Sequence, residues 1–209
     1  LILNRLLIVD GHAYAYRAFY AIRHLSSPTG RPTNAVYGFI KMLAKMRATL
    51  KPTHLIVVWD GGLSAVRRAA LPQYKAQRPE MPADLAAQLD EIGRYLQAAN
   101  LASFCGDGIE ADDYIACLTR AAAQGGWEVV IASADKDFMQ LVTGDEGRGA
   151  RGESQAGNSA RDAQHATPDS GGRIGLLNPN DKSESIWTAV QVRAKTGVAP
   201  EQLVDWLSL

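Results

Sequence analysis

Residues 5–10 read RLLIVD, a short run that is apolar on both faces and ends in an acid. Two later runs have the same form, HLIVVWD at 54–60 and WEVVIASAD at 127–135. Strands with Val, Ile or Leu on both faces are typical of a parallel sheet covered on both sides, whereas a half-exposed antiparallel strand alternates apolar with polar residues. The three runs therefore predict buried parallel strands.

Helical patterns, with apolar residues at i, i+3 and i+4, separate and follow these runs. They cover residues 13–22, 35–50, 83–99 and 111–124, and two shorter patterns follow at 189–195 and 200–207. A further short strand is expected through Ser103 and Phe104. Strands that alternate with helices of this length predict an α/β fold with a central, mainly parallel sheet.

The composition is that of a globular protein: of 209 residues, 46% are hydrophobic and 21% charged, which excludes a wholly disordered chain. Apolar runs fall short of the roughly 18–20 residues that span a bilayer, and the first residues do not form a signal peptide, so we expect a cytosolic protein without a membrane partner. Cys105 and Cys117 match no metal-ligand spacing and are expected to be reduced, half-buried thiols.

The net charge of zero conceals a division along the chain. Residues 1–79 contain twelve Lys and Arg but only two acids, Asp10 and Asp60, which gives that part a charge of +10. Residues 80–209 contain ten Lys and Arg and twenty Asp and Glu, which gives −10. Such asymmetry predicts a basic surface for a polyanion beside an acidic centre.

One stretch does not fit a folded core. Residues 144–172 contain no Val, Ile, Leu, Met, Phe, Tyr or Trp in 29 positions, so they cannot bury enough apolar surface to offset the entropy of ordering. We expect a disordered insertion there, between a core at 1–143 and a continuation at 173–209.

Acids follow each of the long strands, at the sheet edge where α/β proteins bind ligands. A second acidic group opens the helix of GIEADDYIACL, and the i, i+3 spacing puts two of its members on one face. Simple helix capping and interaction with the helix dipole is the alternative explanation of that second group. The candidate carboxylates are Asp10, Asp60, Asp135 and Asp137 after strands and Glu110, Asp112 and Asp113 on the helix.

Acids gathered at one edge repel one another and raise each other's pKa values, so they require a neutralising partner. Mg²⁺ or Mn²⁺ prefers carboxylate and water ligands, and the absence of paired His or Cys argues against zinc. The four histidines, including His12, are assigned surface or packing roles. Two ions about 3.5–4 Å apart can activate water and stabilise an in-line phosphoryl displacement, so the pattern predicts phosphodiester hydrolysis.

A basic segment follows Asp60 directly. GGLSAVRRAALPQYKAQRP, residues 61–79, contains no acid, and its position suits a phosphate backbone held near the acidic edge, with an aromatic ring to stack on a base. A solvated amphipathic helix is the alternative. The candidate nucleic-acid contacts are Arg67, Arg68, Tyr74, Lys75 and Arg78, with Arg17 on the first helix.

Six motifs, in order along the chain, resemble the 5′-3′ exonuclease family: the 5′ nuclease domains of bacterial DNA polymerase I and their stand-alone relatives, within the wider flap endonuclease and PIN-like superfamily. The motifs are LLIVDGHAYAYRAFYAI, GRPTNAVYGFIKML, THLIVVWD, QYKAQRPEMPADL, GIEADDYIACL and SADKDFMQLV. The resemblance covers residues 5–143 and 173–209.

This resemblance implies a three-layer PIN-like, resolvase-like domain with a basic helical arch and the start of a C-terminal helical region. It implies a metal-dependent nuclease, acting as a monomer on 5′ flaps, 5′ ends and RNA primers in replication and repair. Asp10, Asp60, Glu110 and Asp112 would serve a first Mg²⁺ or Mn²⁺ with Asp113 in support, and Asp135 and Asp137 a second. Lys75 and Arg78 would contact the scissile phosphate region, Tyr74 the terminal base, and Arg67 the 5′ strand.

Two departures from the family pattern leave alternatives open. The family's further acidic GDxxDN motif and its duplex-gripping helix-hairpin-helix are absent from these residues, and 144–172 is inserted. A catalytically incomplete DNA-binding fragment is therefore one alternative. A PIN-like endoribonuclease is another, although QYKAQRP argues against it.

Overall fold

The computed structural model describes residues 4–62, 69, 80–143, 172–181 and 185–207. Within them, six strands form one sheet in the order β3-β2-β1-β4-β5-β6. These are β1 (Arg5–Asp10), β2 (His54–Trp59), β3 (Ala102–Cys105), β4 (Glu128–Ala132), β5 (Ile174–Leu177) and β6 (Ile186–Trp187). The first five are parallel, and β6 is antiparallel to β5. The predicted mainly parallel sheet is confirmed.

The helices follow the predicted pattern to within a few residues. They are α1 (Gly11–Ala21), α2 (Asn34–Leu50), α3 (Ala83–Ala98), α4 (Ala111–Gln124), α5 (Ala189–Thr196) and α6 (Leu203–Leu207). Short 3-10 turns cover Asp137–Leu141 and Pro200–Gln202. The helix predicted over 200–207 therefore begins as a 3-10 turn, and its α-helical part begins at Leu203.

The central strand β1 shows why the domain has three layers. Leu7 and Val9 point into a core with α1, α2 and α3, while Leu6 and Ile8 point into a core with α4, α5 and α6. Side chains alternate between the faces of a strand, so a run that is apolar at every position needs helices on both sides. The three-layer α/β fold class is confirmed.

The topology places a crevice at the carboxyl end of β1. The chain leaves β1 for β2 and β3 on one side, and β4 then pairs with β1 on the other. In open α/β sheets this reversal of strand order is where ligands bind, because the connections diverge to opposite sides. Asp10 ends β1 at this point, and β4 ends at Ala132 beside it.

Several predictions concern segments beyond the described ranges. The basic arch at 63–79, apart from Ala69, and the insertion at 144–171 are outside the described residues. Among the residues that are described, no helix is long and apolar enough to cross a membrane. The prediction of half-buried cysteines was wrong: Cys105 and Cys117 are both free and exposed.

Candidate functional site

Asp10 is the most buried of the acids that follow strands, with 8% of its surface exposed. Its Oδ1 accepts a hydrogen bond from the backbone N–H of Ala13 (3.0 Å), so the side chain also caps α1. Its Oδ2 accepts one from the Ser133 hydroxyl (2.7 Å). Burial raises the pKa of Asp10, against these two hydrogen bonds and the attraction of His12, while Asp135 adds repulsion. Burial makes the Asp10 carboxylate costly to ionise, and a bound cation would offset that cost, while the two hydrogen bonds hold the side chain in place.

Ser133 links Asp10 to the acids that follow β4. Its hydroxyl oxygen accepts a hydrogen bond from the backbone N–H of Asp135 (3.1 Å). Oδ1 of Asp135 in turn accepts one from the backbone N–H of Asp137 (2.9 Å). Partial desolvation, followed by repulsion from Asp135, raises the pKa of Asp137. Asp10, Asp135 and Asp137 thus form a connected series along the β1–β4 edge.

Asp60 follows β2, and both its main chain and its carboxylate are hydrogen-bonded. Its backbone N–H donates to Nδ1 of His12 (3.1 Å), while its own Oδ1 accepts from the backbone N–H of Gly62 (3.0 Å). Burial lowers the pKa of His12, against attraction from Asp60 and Asp10. Both carboxylates, Asp60 and Asp10, therefore attract the His12 ring.

Glycines let the loop after β2 pair with the loop that precedes α4. The backbone N–H of Gly61 donates to the Ile109 carbonyl (2.9 Å), and that of Gly108 donates to the Gly61 carbonyl (2.9 Å). A Cβ at Gly61 would lie 1.7 Å from the Gly106 carbonyl oxygen, so only glycine permits this approach. The pairing brings Asp60 next to the start of α4, where Glu110 lies.

The acids of α4 differ in burial. Glu110 is 1% exposed and occupies the N-cap position, but its side chain makes no capping hydrogen bond, so the capping alternative does not explain its burial. Asp112 is half-buried and Asp113 is exposed, both in the first turn. An acidic first turn is also favourable for the helix dipole, which remains a sufficient reason for Asp113.

The acids that follow β1 and β4 interact one with the next and do not surround a single point. Electrostatic coupling joins Asp10 with Asp135, and Asp135 with Asp137. Within the described parts of the chain, no three His, Cys, Asp or Glu side chains come close enough to hold a metal ion in the positions they occupy. The arrangement is an edge lined by oxygen donors, and side-chain rotation would be needed to close it around a cation.

Three basic residues on α1 and α2 line one cavity. Nη1 of the exposed Arg17 donates to Oδ1 of Asn180 (2.5 Å), which ties α1 to the loop after β5. Arg17, Lys41 and Lys45 line a cavity of about 550 Å³ with an apolar floor. The remaining candidate nucleic-acid contacts, Arg67, Arg68, Tyr74, Lys75 and Arg78, lie outside the described residues.

The structure adds two residues that the sequence analysis did not select. Ser133 belongs to none of the predicted sites, and the prediction for His12 is a surface or packing role. Both residues nevertheless bond to candidate carboxylate residues. Their position was a usable signal: His12 comes two residues after Asp10, and Ser133 two residues before Asp135, both at the binding edge of the sheet.

The sequence is similar to a known protein family along most of its length. The family model of the 5′-3′ exonuclease N-terminal resolvase-like domain matches residues 5–158. DNA polymerase I of Pseudomonas aeruginosa is 41% identical over 204 residues, which cover 98% of this chain and 19% of that protein. The 5′-3′ exonuclease of Aquifex aeolicus is 32% identical over 207 residues, which cover 99% of this chain and 61% of that protein. This chain thus spans about a fifth of the polymerase and about three fifths of the exonuclease.

Solved structures share the fold at low sequence identity. The T5 D15 protein crystallised with metal ions has a TM-score of 0.62 at 17% identity, over 96% of this chain and 64% of that one. The D15 flap endonuclease in a complex with DNA and metal ions has a TM-score of 0.63 at 18% identity, with the same coverage. The catalytic core of Rad2 with a DNA substrate has a TM-score of 0.52 at 15% identity, over 97% of this chain and 53% of that one.

Proposed function

This chain belongs to the 5′-3′ exonuclease family, and on that premise we propose that it is the nuclease core of a metal-dependent 5′-3′ exonuclease and 5′-flap endonuclease. The reaction is hydrolysis of phosphodiester bonds in DNA, and in RNA primers, during replication and repair. The observation that carries the proposal is the bridge from Asp10 through Ser133 to Asp135, which keeps two acids together at the switch point of the sheet.

The donor set fits a hard divalent cation, because carboxylate oxygens predominate in it, and the nearby Cys105 thiol contacts the main-chain carbonyl of Asp60 (3.9 Å). Burial and mutual repulsion disfavour the charged forms of Asp10 and Asp137, and a bound cation would offset both effects. When bound, Mg²⁺ or Mn²⁺ supplies Lewis-acid chemistry and lowers the pKa of water. We assign a first ion to Asp10, Asp60, Glu110 and Asp112, supported by Asp113, and a second ion to Asp135 and Asp137.

The chain's own residues supply orientation and charge. Asp10 is fixed through both carboxylate oxygens, so little reorganisation is required of it during the reaction. We assign Arg17, on α1, to a substrate phosphate, because a guanidinium can bind phosphate through two hydrogen bonds. From the family resemblance, we assign Lys75 and Arg78 to the charge at the scissile phosphate, Arg67 and Arg68 to the 5′ strand, and Tyr74 to stacking on the terminal base.

DNA is the proposed partner, and the protein is proposed to act as a cytoplasmic monomer. The D15 flap endonuclease was solved with DNA and metal ions, and the Rad2 catalytic core with a DNA substrate. Those proteins share the fold of this chain, which supports a DNA substrate here. The basic residues 1–79 provide the charge that such a polyanion requires.

The test is cleavage of a labelled 5′-flap DNA with Mg²⁺ or Mn²⁺ by this chain and by a chimera that appends the downstream segment of the Pseudomonas aeruginosa relative. We expect cleavage that requires the metal and is lost in Asp112→Asn, while flap binding persists. Asp84→Asn, on the first turn of α3, is the matched control and should cleave normally. Cleavage that survives chelation, or Asp112→Asn with an unchanged rate and lost binding, would contradict the proposal.

A second candidate function is DNA binding without cleavage by this segment. The pairwise arrangement of the described acids favours it, because a metal site needs a closer grouping. Flap binding by both the chain and the chimera, with no cleavage at any Mg²⁺ or Mn²⁺ concentration, would identify this function instead.

A further inference from the structure

The candidate carboxylates at the carboxyl ends of the strands, here called the carboxylate edge, fall into two halves: one at the ends of β1 and β4, the other between β2 and α4. His12 lies between Asp10 of the first half and Asp60 of the second. It lies in the first turn of α1, and its Nδ1 accepts the hydrogen bond from the backbone N–H of Asp60 at 3.1 Å. A bond between residues 48 positions apart ties the start of α1 directly to the end of β2. Because the backbone N–H is the donor, Nδ1 must be the unprotonated nitrogen of the ring.

Two neighbours fix the orientation of the His12 ring. The indole of Trp59 stands edge-on to it, with ring centroids 5.4 Å apart and planes at 86°. Nε1 of Trp59 donates to the Ser103 hydroxyl (2.9 Å), and its ring stacks on Phe39 with centroids 5.8 Å apart. Gly11 lets the indole approach the main chain, since a Cβ there would lie 2.5 Å from it. Contact with the fixed Trp59 indole therefore orients the His12 ring so that its Nδ1 faces the backbone N–H of Asp60.

The remaining described bonds of this loop do not reach α1, and one of them joins the Cys105 thiol at the end of β3 to the Asp60 carbonyl oxygen (3.9 Å). Gly61 and Gly108 tie the loop to the segment before α4, and Gly62 closes a turn onto the Asp60 carboxylate. His12 is what connects Asp60 to the helix that Asp10 caps. Loss of this connection would leave the Asp60 main chain anchored toward α4 but not toward Asp10.

We propose that His12 is a positioning residue, whose Nδ1 holds the Asp60 main chain and so sets the Asp60 carboxylate against Asp10. The proposal deepens the function proposed above and rests on it for the role of both carboxylates. A hydrogen-bonded residue behind a ligand orients that ligand, and its loss typically lowers metal affinity without removing a donor atom.

Two substitutions separate positioning from packing. His12→Asn keeps an acceptor oxygen near the place of Nδ1 but removes the ring, whereas His12→Phe keeps a ring against Trp59 but removes the acceptor. His54→Phe is the matched control: its Nδ1 is bonded to the Thr53 hydroxyl and its ring packs against Trp127, but it lies at the opposite end of β2.

The experiment measures amide hydrogen exchange at Asp60 in the metal-free chain and Mn²⁺ affinity by calorimetry, with Tm recorded to verify folding. In His12→Phe we expect faster Asp60 exchange and Mn²⁺ binding weakened about 10–100-fold. His12→Asn and His54→Phe should match the unchanged chain in both measurements.

Slow Asp60 exchange in His12→Phe would overturn the proposal, and so would equally fast exchange in folded His12→Asn. If the unchanged chain binds no Mn²⁺, the proposed metal-dependent function fails, whereas the Asp60 exchange rates still decide the role of His12.

Discussion

The two halves of the carboxylate edge are held in different ways. In the β1–β4 half, side chains are fixed: Asp10 accepts through both oxygens, and Asp135 through one. In the half between β2 and α4, the bonds to distant residues hold the main chain: the N–H of Asp60 is bound by His12, and that of Gly61 by Ile109. The Asp60 carboxylate accepts a bond within its own turn, from Gly62. In the first half a distant side chain therefore holds a carboxylate, Asp10. In the second half distant residues hold the main chain, and the Asp60 carboxylate is held within its own turn.

Strand register explains the difference. β1 and β4 pair in parallel through Val9 and Ala132, so Asp10 and Ser133 follow paired residues and meet directly. The β1–β2 register ends with Asp10 opposite Val58, which leaves Asp60 two residues further along, beyond the last pair. Ladder hydrogen bonds no longer position it there, so loop glycines and a histidine do. Strand pairing thus positions Asp10 and Ser133, whereas contacts between loops and α1 position Asp60.

The largest effect is expected where the second half depends on main-chain approach. Gly61→Ala would place a Cβ 1.7 Å from the Gly106 carbonyl oxygen, so the two loops must separate. We expect a loss of about 3 kcal/mol in the free energy of unfolding, measured in urea. Gly93→Ala, on α3 with nothing within 4 Å, should instead stabilise by about 0.5–1 kcal/mol. Equal effects at the two glycines would refute the account of the loop pairing.

An intermediate effect, on Mn²⁺ affinity, is expected from loss of the Ser133 hydroxyl, which links Asp10 to Asp135. Ser133→Ala removes the donor to Asp10 and the acceptor for Asp135, so Mn²⁺ affinity measured by calorimetry should fall about 10–100-fold. Ser27→Ala is the control, because that hydroxyl bonds the Thr29 hydroxyl and the Arg31 N–H and reaches no carboxylate in the described contacts. Unchanged Mn²⁺ affinity in Ser133→Ala would show that orientation of these side chains is unimportant.

The smallest effect is a gain in stability without metal. The folded state raises the pKa of Asp10, so ionised Asp10 destabilises the fold at neutral pH. This penalty shrinks as the pH falls through the folded pKa and is gone below the unfolded pKa. Asp10→Asn removes the charge but also one of the two acceptor oxygens, so it should raise the Tm at neutral pH by no more than about 2–4 °C, the shift that roughly 1 kcal/mol produces in a domain of this size. The gain should shrink as the pH is lowered. A Tm that falls at neutral pH, or a gain that grows in acid, would contradict this sign.

Much of the fold was predictable because its signals are local. RLLIVD, HLIVVW and EVVIA are apolar at consecutive positions, and each forms a strand of the parallel sheet. The strand Ile186–Trp187 was missed, since two residues are too few to show a period. The 3-10 turn Asp137–Leu141 was also missed, because its residues are equally compatible with a loop.

The candidate site was predictable only to the level of the acids. Asp10, Asp60 and Asp135 follow strands, and sheet topology alone brings them to one edge. The bonds from Ser133 to Asp10 and from Asp60 to His12 join residues 123 and 48 positions apart, and no pattern in the sequence encodes such pairings. The assignment of individual acids to particular ions stays a prediction.

The most direct test of the central claim, that acids distant in sequence form one cation-binding edge, is a calorimetric Mn²⁺ titration of this chain beside Asp10→Asn, Asp135→Asn and the exposed-site control Glu201→Gln. We predict saturable Mn²⁺ binding that both aspartate variants lose and the control retains. Absence of binding by the unchanged chain, or binding that is the same in all four proteins, would contradict the account.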